Sequence, residues 1–338
     1  MKARVHHIII LFGLIIVFLS AQPIQKIELE YPDYWPDPVY KFESNPLSES
    51  GIYLGRKLFY DPILSKDSSI SCSSCHLSYT AFTHVDHTLS HGIKDKIGNR
   101  NSMALTNLAW SNSFMWDGAV HMLDVQALNP MTDSLEMGED LENVLHKLTR
   151  SEIYPELFSQ AFQDTVINTN YLLKALAQFQ LSLVTSNSKY DKVKSGIVEF
   201  TEQESKGYEL FLEHCNVCHT EPLFTSYNFE NNGLPKDKLL NDLGRYNITN
   251  NPVDSLKFKI PSLRNIEYSY PYMHDGRFKN LKQVLKHYAN GIEVGPNLGF
   301  SLKTPILLNQ NDHNAIISFL LTLTDKSFLF DKNIAYPR

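Results

Sequence analysis

Only four of the 338 residues are cysteine, and no dense run of lysine or arginine interrupts a chain with 31 basic and 37 acidic residues. The first scarcity excludes a disulfide-stapled scaffold. The second excludes nucleic acid as the main partner, because neutralising phosphates needs a basic footprint. Low-complexity tracts are missing and strand-like alternation is scarce, while 43% hydrophobic residues suffice for one large core or two ordinary ones. The few cysteines are informative through their arrangement. They form two pairs of identical spacing, Cys72 with Cys75 and Cys215 with Cys218, each followed at once by a histidine, His76 and His219.

C-x-x-C-H is the attachment signal for c-type haem. A zinc site would need its two pairs about 15 to 20 residues apart, whereas Cys75 and Cys215 lie about 140 apart. A thioredoxin-type centre would need one pair in a βαβ setting. Lys2 and Arg4, the apolar block Ile8 to Leu19 and the small residues Ser20 and Ala21 make the pattern of a secretory signal over residues 1–21. The apolar block is shorter than the roughly 20 residues of a membrane span. The expectation is export to the periplasm, cleavage before Gln22 and no stable membrane insertion afterwards. Without Lys2 and Arg4, 29 basic residues face 37 acidic ones. Export also explains why the thiols do not close to disulfides: thioether bonds to haem vinyl groups consume them.

Two haem motifs, each in its own helical context, predict a mainly α chain of two cytochrome c-like haem domains with long loops, over residues 22–195 and 196–338. The halves read as a diverged duplication. Gly51 to Asp61 carries Leu54, Leu58 and Phe59 on one helical stripe; before the second motif, Thr201 and Glu204 have capping-box spacing and Tyr208, Phe211 and Leu212 share a face. Further helices are predicted over about Tyr171 to Ser186 and Asn311 to Thr324. The polar stretch SNSKYDKVKSG between them is the expected linker, and Asn228 to Asn251 is a long loop.

The segments GRKLFYDPILSKDSSISCSSCH, GNRNSMALTN, FMWDGAVHMLDVQALNPM, EMG, FKIPSLRN, PYMHDGRF and LKHYANG occur in an order that resembles the bacterial di-haem cytochrome c peroxidase and MauG superfamily, over about Gly51 to Thr324. The resemblance implies a peroxidatic haem on His76 and an electron-relay haem on His219. Glu136 matches the family's distal acid, with Gln126 and Pro130 as distal-pocket residues, and Trp116 matches a tryptophan placed between the haems. His91 occupies the position of a histidine that, in some members, ligates the first iron until reduction; His84 and His87 are nearby competitors. Tyr288 matches the second axial ligand of the MauG type, with Met273 and His287 as alternatives. Asn101, Ser269 and Pro271 match a calcium site. The family usually has arginine where this chain has Ala119.

The implied activity is reduction of hydrogen peroxide, MauG-like, with electrons from a redox protein or small-molecule donor. The alternatives are a reductively activated peroxidase fed by a small cytochrome or cupredoxin, and a di-haem electron carrier without catalysis.

Overall fold

The computed structural model describes residues 24–337, so the expected signal segment lies outside the described residues. The helices are α1 (Glu49–Tyr60), α2 (Cys72–Cys75), α3 (Leu123–Gln126), α4 (Leu128–Thr132), α5 (Leu141–Arg150), α6 (Tyr154–Phe162), α7 (Thr169–Leu181), α8 (Lys189–Lys194), α9 (Glu202–His214), α10 (Tyr246–Thr249), α11 (Leu281–Asn290), α12 (Gln310–Leu321) and α13 (Lys326–Leu329). The only sheet among the described residues pairs β1 (Phe229–Glu230) antiparallel with β2 (Phe258–Lys259). No described helix is long and apolar enough to cross a membrane.

Each haem motif follows a helix that crosses a second helix at a glycine. In the first half α1 packs on α7 at Gly55, where a Cβ would lie 1.9 Å from the Ala175 carbonyl oxygen and 2.9 Å from Phe179 Cβ. In the second half α9 packs on α12 at Gly207, where the corresponding distances to Ala315 and Phe319 are again 1.9 and 2.9 Å. Only hydrogen lets the backbones approach this closely. Around these crossings lie two cores, one centred on Leu54, Leu58, Phe59, Leu176 and Phe179, the other on Phe211, Phe224, Ile316 and Phe319.

The duplication continues through the loops. Phe114 to Met131 and Tyr272 to Ala289 run in register without a gap. In both, the first residue's N–H reaches the seventh residue's carbonyl at 2.7 Å, and the methionine and glycine (Met115 and Gly118; Met273 and Gly276) have positive φ. Asn107 and Asn265 are likewise paired. Both have positive φ, donate to Leu183 and Leu323 carbonyls, and accept from the N–H groups of Thr185 and Asp325. In this register α3 and α4 stand where α11 stands in the second half, and Pro130 takes the place of Tyr288.

Helix α9 begins at Thr201 with its capping box formed. Helices α7 and α12 end at Leu181 and Leu321, earlier than their apolar patterns suggested, because Leu183 and Leu323 leave the helix to bond the two asparagines. The stretch expected as linker is ordered and packed. Its centre is α8, capped by Ser188, with Tyr190 and Asp191 buried and Asp191 paired at 2.8 Å to the fully buried Arg264. The segment before α1 also ties the halves together: Tyr34 donates to Asp191 at 2.6 Å, and Trp35 lies beneath the Arg264 guanidinium and against Trp110.

Candidate di-haem site

One cavity of about 530 Å³ reaches both motifs, touching Cys75 and His76 at one end and Cys215, Cys218 and His219 at the other. No disulfide joins the four cysteines, and burial pushes the Cys72 and Cys215 thiols up to about 12. The His76 Nδ1 lies 2.7 Å from the Phe82 carbonyl, and the His219 Nδ1 lies 3.2 and 3.1 Å from the carbonyls of Phe224 and Pro261. With Nδ1 donating, Nε2 keeps its lone pair. Burial lowers both imidazoles to about 4, so both stay neutral and able to ligate near neutral pH. Adjacent cysteine pairs, oriented neutral histidines and a shared cavity fit two covalently held haems.

A smaller pocket of about 60 Å³ beside the first motif is lined by Cys72, His76, His91, Gln126, Pro130 and Glu136. The Oε1 of buried Gln180, on the same pocket wall, has no protein partner. The turn after α4 carries Glu136 here, where burial, with Asp133 adding to it, raises its carboxyl to about 7. Gln126 donates to Met115 Sδ at 3.8 Å. His91, His87 and His84 are stacked in sequence with centroids 4.0 and 5.1 Å apart, and of the three only His91 lines the pocket.

At the other end, Tyr288 faces the cavity and its phenol is pushed up to about 12 by burial. Its competitors are engaged elsewhere. His287 points its Nε2 at the Asn232 carbonyl, 3.1 Å away, and does not line the cavity; Met273 lines it, but its sulfur accepts from Asn232 Nδ2 at 3.4 Å.

Trp116 lies buried between the two ends and donates its indole N–H to the Asn101 carbonyl at 2.8 Å. Asn101, Ser269 and Pro271 line the same cavity, and the Asn101 amide nitrogen donates to Thr88, leaving Oδ1 free to accept. Two arginines contact Asp117, two residues before Ala119. Arg245 stacks on Phe229 at 4.0 Å and donates to the Asp117 carbonyl, while Arg100 binds the Asp117 and Asp242 carboxylates at 2.6 Å. Sequence reasoning missed these arginines and Lys259. The M-x-D-G signature shared by Met115 to Gly118 and Met273 to Gly276 would have exposed the aligned repeat, and with it the correspondence of Pro130 and Tyr288.

Two cytochrome c-like halves holding two C-x-x-C-H motifs around one cavity define a di-haem c-type protein. Comparison with known proteins narrows this. The family model described as di-haem cytochrome c peroxidase matches residues 49–199. The methylamine utilization protein MauG of Methylorubrum extorquens is 33% identical over 310 residues, covering 88% of this chain and 84% of that protein. The cytochrome c551 peroxidase of Nitrosomonas europaea is 31% identical, covering 91% and 86%. A crystal structure of a MauG-like protein associated with microbial copper homeostasis aligns with a TM-score of 0.82 at 30% identity, covering 92% of this chain and 99% of that one. The chain belongs to the di-haem cytochrome c peroxidase and MauG family, and is an oxidoreductase of the peroxidase type with two haem c groups.

Proposed function

We propose that this is an exported, periplasmic peroxidase of the MauG type, in which hydrogen peroxide reacts at the haem on His76 and electrons from a redox protein or small molecule arrive by long-range transfer through the haem on His219. The observation that carries the reading is the register of the internal repeat. Tyr288 offers a phenol oxygen at the second haem, and the first half has Pro130 at that position, a side chain with no donor atom for iron. Tyr288 would supply a second ligand to a haem held by His219, whereas Pro130 would supply none to a haem held by His76. When bound, the first haem supplies the iron at which the O–O bond breaks and the second stores or relays electrons.

The chain's own groups do the rest. Peroxide reduction consumes two electrons and two protons and yields two waters. Glu136 takes a proton from the attacking peroxide and returns it to the departing oxygen, a double role suited to a carboxyl poised near 7. Gln126 lines the same pocket, and Pro130 on its wall would offer no donor atom to an iron there. Trp116 bridges the gap between the haems. Tyr288, bound as phenolate, would hold the second haem at a lower potential than a methionine ligand would. The Asn101 amide oxygen and the Ser269 and Pro271 carbonyls would hold a calcium ion, which would stiffen the wall between the haems.

Stoichiometric hydrogen peroxide added to the purified oxidised protein tests the proposal. The expected result is a long-lived oxidised state shared by both haems, with a near-infrared charge-resonance band. The position of His91 on the first-haem pocket favours one second reading, a peroxidase that must be half-reduced before it reacts. A response only after half-reduction selects that reading, and no response in either state sinks both.

A further inference from the structure

Lys259 is 6% exposed, at the end of β2 in the middle of the molecule. Its ammonium donates to Ser111 Oγ at 2.7 Å and to the Ser113 carbonyl, and lies over the Phe114 and Tyr227 rings at 5.4 and 5.7 Å. An ammonium has three donors, and these contacts leave one for the cavity that Lys259 lines. Apart from histidines, two cations line that cavity. Arg100 is matched by Asp117 and Asp242, whereas among the described residues no carboxylate lies within ion-pair distance of Lys259. Burial alone lowers it to about 8, with no acidic neighbour holding it up. Buried charges are ordinarily paired, because an isolated one carries a desolvation cost that fixed dipoles only partly offset.

The prosthetic group brings the missing anion. A haem carries two propionates on the edge opposite its vinyl groups, so thioether bonds at the cysteines direct the carboxylates away from them. Lys259 is two residues before Pro261, whose carbonyl orients His219, and its backbone N–H is bonded to the Trp116 carbonyl at 2.7 Å. We infer that Lys259 is the counter-ion of a propionate of the haem on His219, a cofactor-binding residue that also sets that haem's potential at its contact with the Trp116 bridge. The inference rests on the two-haem assignment and not on the identity of the electron donor. A cation beside a haem in a low-dielectric wall favours the reduced iron.

The test is a spectroelectrochemical titration of the holoprotein with both haems followed separately. In Lys259→Met both haems stay attached by their thioethers, and the midpoint of the His219 haem falls by at least a tenfold change in its redox equilibrium, about 59 mV for one electron. Lys259→Gln keeps a donor for Ser113, so it carries the same test if the Met variant fails to assemble. Lys259→Arg keeps the charge and holds the midpoint within twofold of the parent. A Met or Gln variant with an unchanged midpoint overturns the inference, and so does an Arg variant that falls as far as Gln. Absence of the second haem from the parent protein would instead overturn the assignment beneath it.

Discussion

Glu136 and Tyr288 sit in comparable burial with opposite consequences. Glu136 in water would be ionised well below neutrality; in its pocket it is poised near 7, so it exists in both forms where the enzyme works. If it acts first as a base, only its ionised form begins the reaction. The second-order rate with hydrogen peroxide is then expected to rise with pH through about 7 and level off above it. Glu136→Gln should lower that rate by roughly 10²- to 10⁴-fold and flatten the profile, as stopped-flow mixing across pH would show; a variant that keeps rate and profile removes Glu136 from the chemistry. Tyr288 has its phenol pushed up to about 12 and stays protonated unless a cation compels ionisation. Tyr288→Met is expected to leave both haems attached, raise the second midpoint and abolish the shared oxidised state, read by redox titration and near-infrared absorbance. Loss of the haem would place the ligand elsewhere.

Among the elements, the two helix crossings carry the scaffold. Alanine in place of a mid-helix glycine ordinarily gains about 0.5 to 1 kcal/mol. At Gly55 and Gly207 the new methyl would meet a backbone carbonyl at 1.9 Å, which cannot swing aside as a side chain would. Overpacking of about 1 to 3 kcal/mol is therefore expected to win, so Gly55→Ala and Gly207→Ala should each unfold at lower denaturant concentration. Gly295→Ala, with nothing within 4 Å of its added carbon, should stay within about 0.5 kcal/mol of the parent. Stability gained at either crossing would contradict the packing. Much of this level was legible in the residues: the capping box at Thr201, the stripe of Leu54, Leu58 and Phe59, and the haem pairs all depend on short-range spacing. The stretch around Tyr190 was not, because its polar composition reads as a linker until Arg264, distant in sequence, supplies the charge that buries Asp191. Lys259 escaped for the same reason. Its significance lies in the absence of a carboxylate around it, which only the folded chain reveals.

For the molecule as a whole, the wall between the haems matters most, because elements from both halves meet there. Asn101 belongs to the first half and Ser269 and Pro271 to the second, and all three line the shared cavity. Asn101 is also bonded in both directions: its N–H reaches the His274 carbonyl at 2.7 Å, and its carbonyl receives the Trp116 indole. An ion held by the Asn101 amide oxygen and the two carbonyls would fix Trp116, the proposed bridge between the haems. Amide and carbonyl oxygens suit calcium better than magnesium, which demands tighter octahedral geometry. Chelation with EGTA is therefore expected to leave both covalent haems in place yet slow electron transfer between them, with calcium restoring the rate and equimolar magnesium failing to do so. Flash-reduction kinetics on chelated and reconstituted protein measure this directly. Asn101→Ala should reproduce the chelated state and lose its response to added calcium, whereas a transfer rate indifferent to chelation would assign the rigidity of this wall to its hydrogen bonds alone.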